Sequence, residues 1–200
     1  MSKQPHRLIA ALRKSPALFA LLLAALATLR IASTWTVFNH TSDEPAHLSC
    51  GLEFLSKGVY HYEHQHPPLT RVLVALGPYL LGERTSGVES MDYDGALILF
   101  RNNRYDTVLS LSRAGNLPLF WLACWMAFLW GRRVLGEEGA VLTVFVFTML
   151  PLVLAHAGLS TTDMGITAFL AAALYSCLRC LEAPDWRRGL LFGAALAGMT

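Results

Sequence analysis

An all-α polytopic membrane protein is expected from this sequence: a transmembrane helix bundle with amphipathic surface helices in its first external loop. Composition points there first. The 200 residues are 54% hydrophobic and only 15% charged, with mean hydropathy +0.43, too apolar and too poor in charge for an ordinary soluble domain. Uncharged runs are the second sign, over 15–29, 114–131, 140–162 and 164–178. A helix needs about 20 mostly apolar residues to cross about 30 Å of hydrocarbon. With their flanks these runs predict spans at about 16–38, 113–131, 139–159 and 163–181. A fifth run begins near 188 and is still apolar at 200. The sequence therefore reads as the N-terminal part of a larger membrane domain.

The third sign is how basic residues alternate with these runs. Lys3, Arg7, Arg13 and Lys14 precede the first span, which predicts a cytoplasmic N-terminus. Arg132 and Arg133 follow the second span, and Arg179, Arg187 and Arg188 follow the fourth, so these loops also read as cytoplasmic. The turn over 159–162 carries no Lys or Arg and reads as external. Residues 39–112 then form a long first external loop. The localisation expected is a multi-pass cell-membrane protein with its site outside the cytoplasm, in the periplasm if the source is bacterial.

The first span has the basic and apolar regions of a signal peptide, with Ala25 and Ala27 as small cleavage-like residues. Its apolar run continues past Arg30 to Phe38, which favours an uncleaved anchor. Arg30 would cost about 2.5–3.5 kcal/mol at the bilayer centre. It is expected either to face other helices or a wet cavity, or to snorkel from a tilted span.

In the external loop, Ser42-Asp43-Glu44-Pro45 is a helix start, with Ser42 as cap and Pro45 in the first turn. Leu48, Leu52 and Leu55 fall on one helical face and Gly58 is placed to stop it. A helix over 43–57 lying on the membrane surface follows, with Tyr60 and Tyr62 at headgroup level. Residues 69–82 are apolar but too short to span, and read as a second interfacial or re-entrant helix. Residues 83–112 are polar and read as irregular.

Three acids, Asp43, Glu44 and Asp163, fall on the predicted external side, where carboxylates are costly unless paired or used. Each also sits at a helix start, where negative charge gains about 0.3–1 kcal/mol from the dipole. Capping and function both remain open. Of seven histidines, His40, His47, His61, His64 and His66 lie in the external loop and His156 lies near the outer end of the third span. Such a group can bind phosphate, shuttle protons or hold a metal. His61-x-x-His64-x-His66 leaves a divalent metal possible, although a site needs three or four converging ligands. They also read as polar loop residues at a wet interface. Cys177-x-x-Cys180 reads as small apolar helix residues, not a redox pair.

The order of motifs carries a resemblance. Asp43-Glu44-Pro45-Ala46-His47, then Gly51-Leu52-Glu53-Phe54-Leu55, then His66-Pro67-Pro68-Leu69-Thr70-Arg71 resembles the first external loop of the GT-C membrane glycosyltransferases. It is similar to the branch of the protein O-mannosyltransferases and ArnT-like enzymes. Arg113-Ala114-Gly115-Asn116-Leu117-Pro118, Gly131-Arg132-Arg133-Val134-Leu135-Gly136, and the run from Leu154 to Asp163 are similar to later parts of that branch.

The resemblance implies transfer of a sugar from a polyprenyl-phosphate carrier to an acceptor hydroxyl outside the cytoplasm, with inversion. Asp43 matches the family's position for the general base. Glu44 and Asp163 would orient the acceptor or hold a neighbouring base. His66 and Arg71 are the candidates for the leaving phosphate, and His64 and His156 for further substrate contacts. The expected partners are the lipid-linked donor, a protein, lipid or glycan acceptor, and membrane lipids, with no nucleic acid. Two rivals stand beside this reading. A secondary transporter would place coupling acids near the midplane on broken helices, whereas these acids lie at span ends. A non-catalytic membrane subunit would keep the bundle without the chemistry.

Overall fold

The computed structural model describes residues 15–199. Among them every regular element is helical: α1 (Pro16–Ala32), α2 (Asp43–Lys57), α3 (Pro68–Leu80), α4 (Met91–Phe100), a 3₁₀ turn (Arg101–Asn103), α5 (Tyr105–Ala114), α6 (Leu117–Met149), α7 (Pro151–Ala157), α8 (Asp163–Glu182) and α9 (Trp186–Ala197). Tyr105–Met149 and Asp163–Glu182 are long and apolar enough to cross a membrane by length and composition, and Pro16–Ala32 is a shorter apolar helix. Lys3, Arg7, Arg13 and Lys14, on which the predicted N-terminal orientation rests, lie outside the described residues.

The bundle has small residues inside and large ones outside. On α1, Ala20, Ala24, Ala27 and Ile31 are buried, while Leu18, Leu22, Leu26 and Leu29 are exposed. On α8, Gly165, Ala168 and Ala173 are buried, and Ile166, Leu170 and Leu174 are exposed. Water would penalise that arrangement. Lipid does not, because small residues let helices approach closely while Leu faces acyl chains. The core joins Ala24, Ala27 and Ile31 of α1 to Leu119, Phe120 and Ala123 of α6 and Met164 and Ala168 of α8.

Helix α6 is a hairpin. At Gly136 (φ 80°, ψ −170°) the backbone leaves helical geometry, in a region that non-glycine residues avoid. Phe120 stacks on Phe147 with centroids 6.4 Å apart, so the two arms run antiparallel. The single span expected over 139–159 is interrupted: Leu150 is extended (ψ 121°) before Pro151, as the clash of a proline ring with its predecessor requires. The first helix likewise ends at Ala32, short of the expected 38.

The loop module departs furthest from expectation. Helix α2 does form over 43–57 and Gly58 (φ 70°) ends it, its N–H bonding to the Phe54 carbonyl. It does not lie on a surface with one face bare, because residues 44–53 are buried all round. Helices α3, α4 and α5 enclose it around a separate core of Leu48, Leu52, Ala75, Ile98, Leu99 and Leu109. The stretch expected to be irregular, 83–112, contains α4 and α5. Ser90 caps α4 by accepting from the Tyr93 N–H at 3.3 Å. The two tyrosines expected at headgroup level also pin the loop: Tyr62 Oη donates to the Val88 carbonyl at 2.8 Å, and Tyr60 stacks on Phe54.

The two ends of the bundle differ in chemistry. One gathers Arg132, Arg133, Glu137, Arg179 and Glu182, joined by Arg132–Glu137 (2.8 Å) and Arg133–Glu182 ion pairs. The other carries the loop module, with its acids and histidines.

Candidate active site

The site is organised by Glu44, in the first turn of α2. It is 1% exposed and takes a bidentate pair from Arg113, Nε to Oε1 at 2.8 Å and Nη2 to Oε2 at 2.9 Å. Oε1 also accepts from the Ser160 N–H and hydroxyl, each at 3.0 Å. Oε2 accepts from the Thr41 N–H at 2.8 Å. Burial alone would raise this carboxyl. The donations from Arg113, Ser160 and Thr41 outweigh it and hold the group below its ordinary value. The remaining donors of Arg113 close on the carbonyls of Trp35, Phe38 and Asn39. One carboxylate thus ties the segment after α1, the head of α2, the end of α5 and the turn before α8.

This clamp replaces the expected cap. Ser42 makes no side-chain cap bond and donates instead to Asp43 Oδ1 at 3.3 Å. Glu44 reaches back to Thr41, half of a capping box. Glu44 is buried, and both its oxygens are engaged by Arg113, Ser160 and Thr41. It fixes its neighbour Asp43 through the backbone.

Asp43 is exposed, with Ser42 as its hydrogen-bond partner. Asp163 opens α8 with its side chain 54% exposed, accepting from Thr161 Oγ1 at 2.7 Å, with His156 Nδ1 3.1 Å away. Since Glu44 grips Ser160, three residues before Asp163, the starts of α2 and α8 meet at the same end of the bundle. His47, one turn after Asp43 on α2, feels both carboxylates.

A cavity of about 520 Å³ opens there, lined by His66, Val153, His156, Thr162, Asp163 and Met164 among others. Behind His66 stands Arg71, 1% exposed, with Nε donating to His47 Nδ1 at 3.3 Å and Nη1 to the Glu63 carbonyl at 3.2 Å. Its Nη2 pairs with the Glu63 carboxylate and lies 3.2 Å from His66 Nδ1. Arg71 is thus partnered by protein groups, His66 among them. Burial, then the charges of Arg71 and His66, push the His47 imidazole down to about 4, so it is neutral. On the far side of α7, a cavity of about 620 Å³ is lined by Arg30, Ile31, Phe38, Arg113, Leu154 and others. Arg30 lies at its edge, exposed, donating to Met149 Sδ at 3.3 Å.

The histidines do not converge as a metal site. His61 lies 3.7 Å from Glu53, His64 is exposed, and His66 pairs with Glu63. Among the described residues no three His, Cys, Asp or Glu side chains are grouped to hold a metal ion. Sequence reasoning passed over Arg113, Glu63 and Ser160. Arg113 was signalled by a charge opening an apolar run on the side of Glu44. Glu63 was signalled by a lone acid among histidines, and Ser160 by nothing.

Residues 116–200 match the sequence model of a family described as dolichyl-phosphate-mannose-protein mannosyltransferase. This segment is similar to that glycosyltransferase family. The matched segment contains Asn116, His156, Ser160 and Asp163 and begins after the acid-bearing loop. Glu44, through Ser160, is the physical link between that loop and the matched helices. Inside the matched segment, Asn116 Nδ2 donates to the carbonyls of His156, Leu159 and Thr161 (2.8–3.4 Å), shaping the turn that presents Ser160 and Asp163. No match was found among curated proteins or among solved structures.

Proposed function

We propose that this protein passes a sugar from a polyprenyl-phosphate carrier to an acceptor hydroxyl at the extracytoplasmic membrane surface, inverting the anomeric carbon. One observation carries the reading: of the two adjacent acids, Glu44 is consumed by Arg113 while Asp43 is left exposed, and both Asp43 and Asp163 act electrostatically on His47. A hydroxyl is a poor nucleophile until a base within about 2.6–3.2 Å accepts its proton. Asp43 is exposed and rigidly based, which suits it to that role. Asp163, held by Thr161 and His156, is placed to orient the acceptor. His66, backed by Arg71, offers a donor to the phosphate as its charge develops. The acceptor oxygen bonds to the anomeric carbon, the carbon–phosphate oxygen bond breaks, the proton goes to Asp43, and polyprenyl phosphate leaves. The acceptor is a protein, lipid or glycan hydroxyl.

Asp43→Asn keeps shape and removes the base. In membranes containing the protein, transfer from a polyprenyl-phosphate mannose probe should fall by about 10²–10⁴-fold, with expression unchanged. Near-normal transfer would reject Asp43 as the base.

A further inference from the structure

Glu63, between α2 and α3, is not needed for the chemistry just described, yet three neighbours converge on its carboxylate. Oε1 accepts from the backbone N–H of Gln65 and from that of His66 (3.1 Å). Oε2 accepts from His66 Nδ1 at 2.8 Å and pairs with Arg71. A carboxylate that accepts from the Nδ1–H of an imidazolium fixes the ring plane and leaves the Nε2–H to donate elsewhere. The same carboxylate pairs with Arg71, the cation behind His66. His66 lines the cavity shared with Asp163 and His156, and its other flank meets His47 edge-on, centroids 5.3 Å apart.

Resting on the proposed transfer, we propose that Glu63 is the positioning residue of the donor subsite, fixing His66 so that Nε2 serves the departing phosphate of the lipid carrier. Glu63 does not touch the donor and acts through His66. A carboxylate that merely stitched the loop would be indifferent to the donor.

Three variants, Glu63→Gln, Glu63→Asp and His66→Ala, with the Glu63→Gln/His66→Ala double, test this in membranes containing the protein. The measured quantities are kcat and donor KM for a polyprenyl-phosphate mannose probe, with Tm in detergent. Glu63→Gln should reduce kcat/KM for the donor by about 10–100-fold, leaving the acceptor KM unchanged. Glu63→Asp should recover part of the loss, and adding His66→Ala to Glu63→Gln should cost nothing more than His66→Ala alone. Unchanged donor kinetics in Glu63→Gln, or additive losses in the double variant, would overturn the proposal. Should Glu63→Gln fail to fold, Glu63→Asp against His66→Ala carries the same comparison. If the unaltered protein transfers nothing, the enzymatic reading fails. The rise in Tm given by polyprenyl phosphate alone then decides: abolished in Glu63→Gln it upholds the subsite, and equal in both or absent from both it overturns it.

Discussion

Glu44 and Arg113 are both buried, with side chains 1% and 2% exposed, and each is the main neutraliser of the other. Removing one partner strands a buried charge, at about 3–5 kcal/mol. Glu44→Ala should therefore lower Tm sharply in detergent and reduce the yield of folded protein. Glu44→Leu with Arg113→Met should regain stability without regaining activity, because Asp43 loses its anchor. His47 gives a prediction in pH. Its ring titrates near 4 when folded against an ordinary 6.5, so between these values the unfolded chain binds the extra proton. Stability is full above about 6.5 and falls as pH drops toward about 4, by on the order of 3 kcal/mol. Glu44, also depressed, loses its contribution lower still, below its ordinary 4.5. Denaturation at pH 7 and pH 5 should show the loss, and His47→Gln should flatten it. At this scale the acids and histidines were legible in sequence. Which acid was spent and which left free was not, because that depends on Arg113, sixty-nine residues away.

Helix α2 is held by close approach as much as by its own caps. A Cβ at Gly51 would meet the Arg71 carbonyl oxygen at 2.1 Å and Ala75 Cβ at 2.6 Å, so α2 and α3 touch backbone to side chain. Gly51→Ala must part them, at about 1–3 kcal/mol. Because Arg71 carries His66, the same variant should also weaken donor use. A fall in Tm with donor KM unmoved would separate the scaffold from the subsite. The leucine spacing and Gly58 made α2 legible. Helices α4 and α5 went unread because each has only 10 residues, with polar Arg101–Asn103 between them, and only burial in the module core explains their apolar positions. The interruption at Leu150 was written in the sequence as Pro151, but an apolar run on both sides hid it.

At the level of the whole molecule, arginines collect at one end of the bundle and the loop module at the other. If that asymmetry reports orientation, Cys introduced at Glu89, exposed on the module, should react in intact cells with a membrane-impermeant maleimide. Ala183→Cys, between α8 and α9, should react only after permeabilisation, both in a background with Cys177 and Cys180 changed to Ser. Labelling of both in intact cells would reject the sidedness.

The sequence by itself determined the helical membrane class, the small-residue faces and the position of each acid, because these follow from hydropathy, length and local caps. It could not decide the roles of those acids. A carboxylate is a base or a strut according to what meets it, and those partners arrive from distant helices only when the bundle closes.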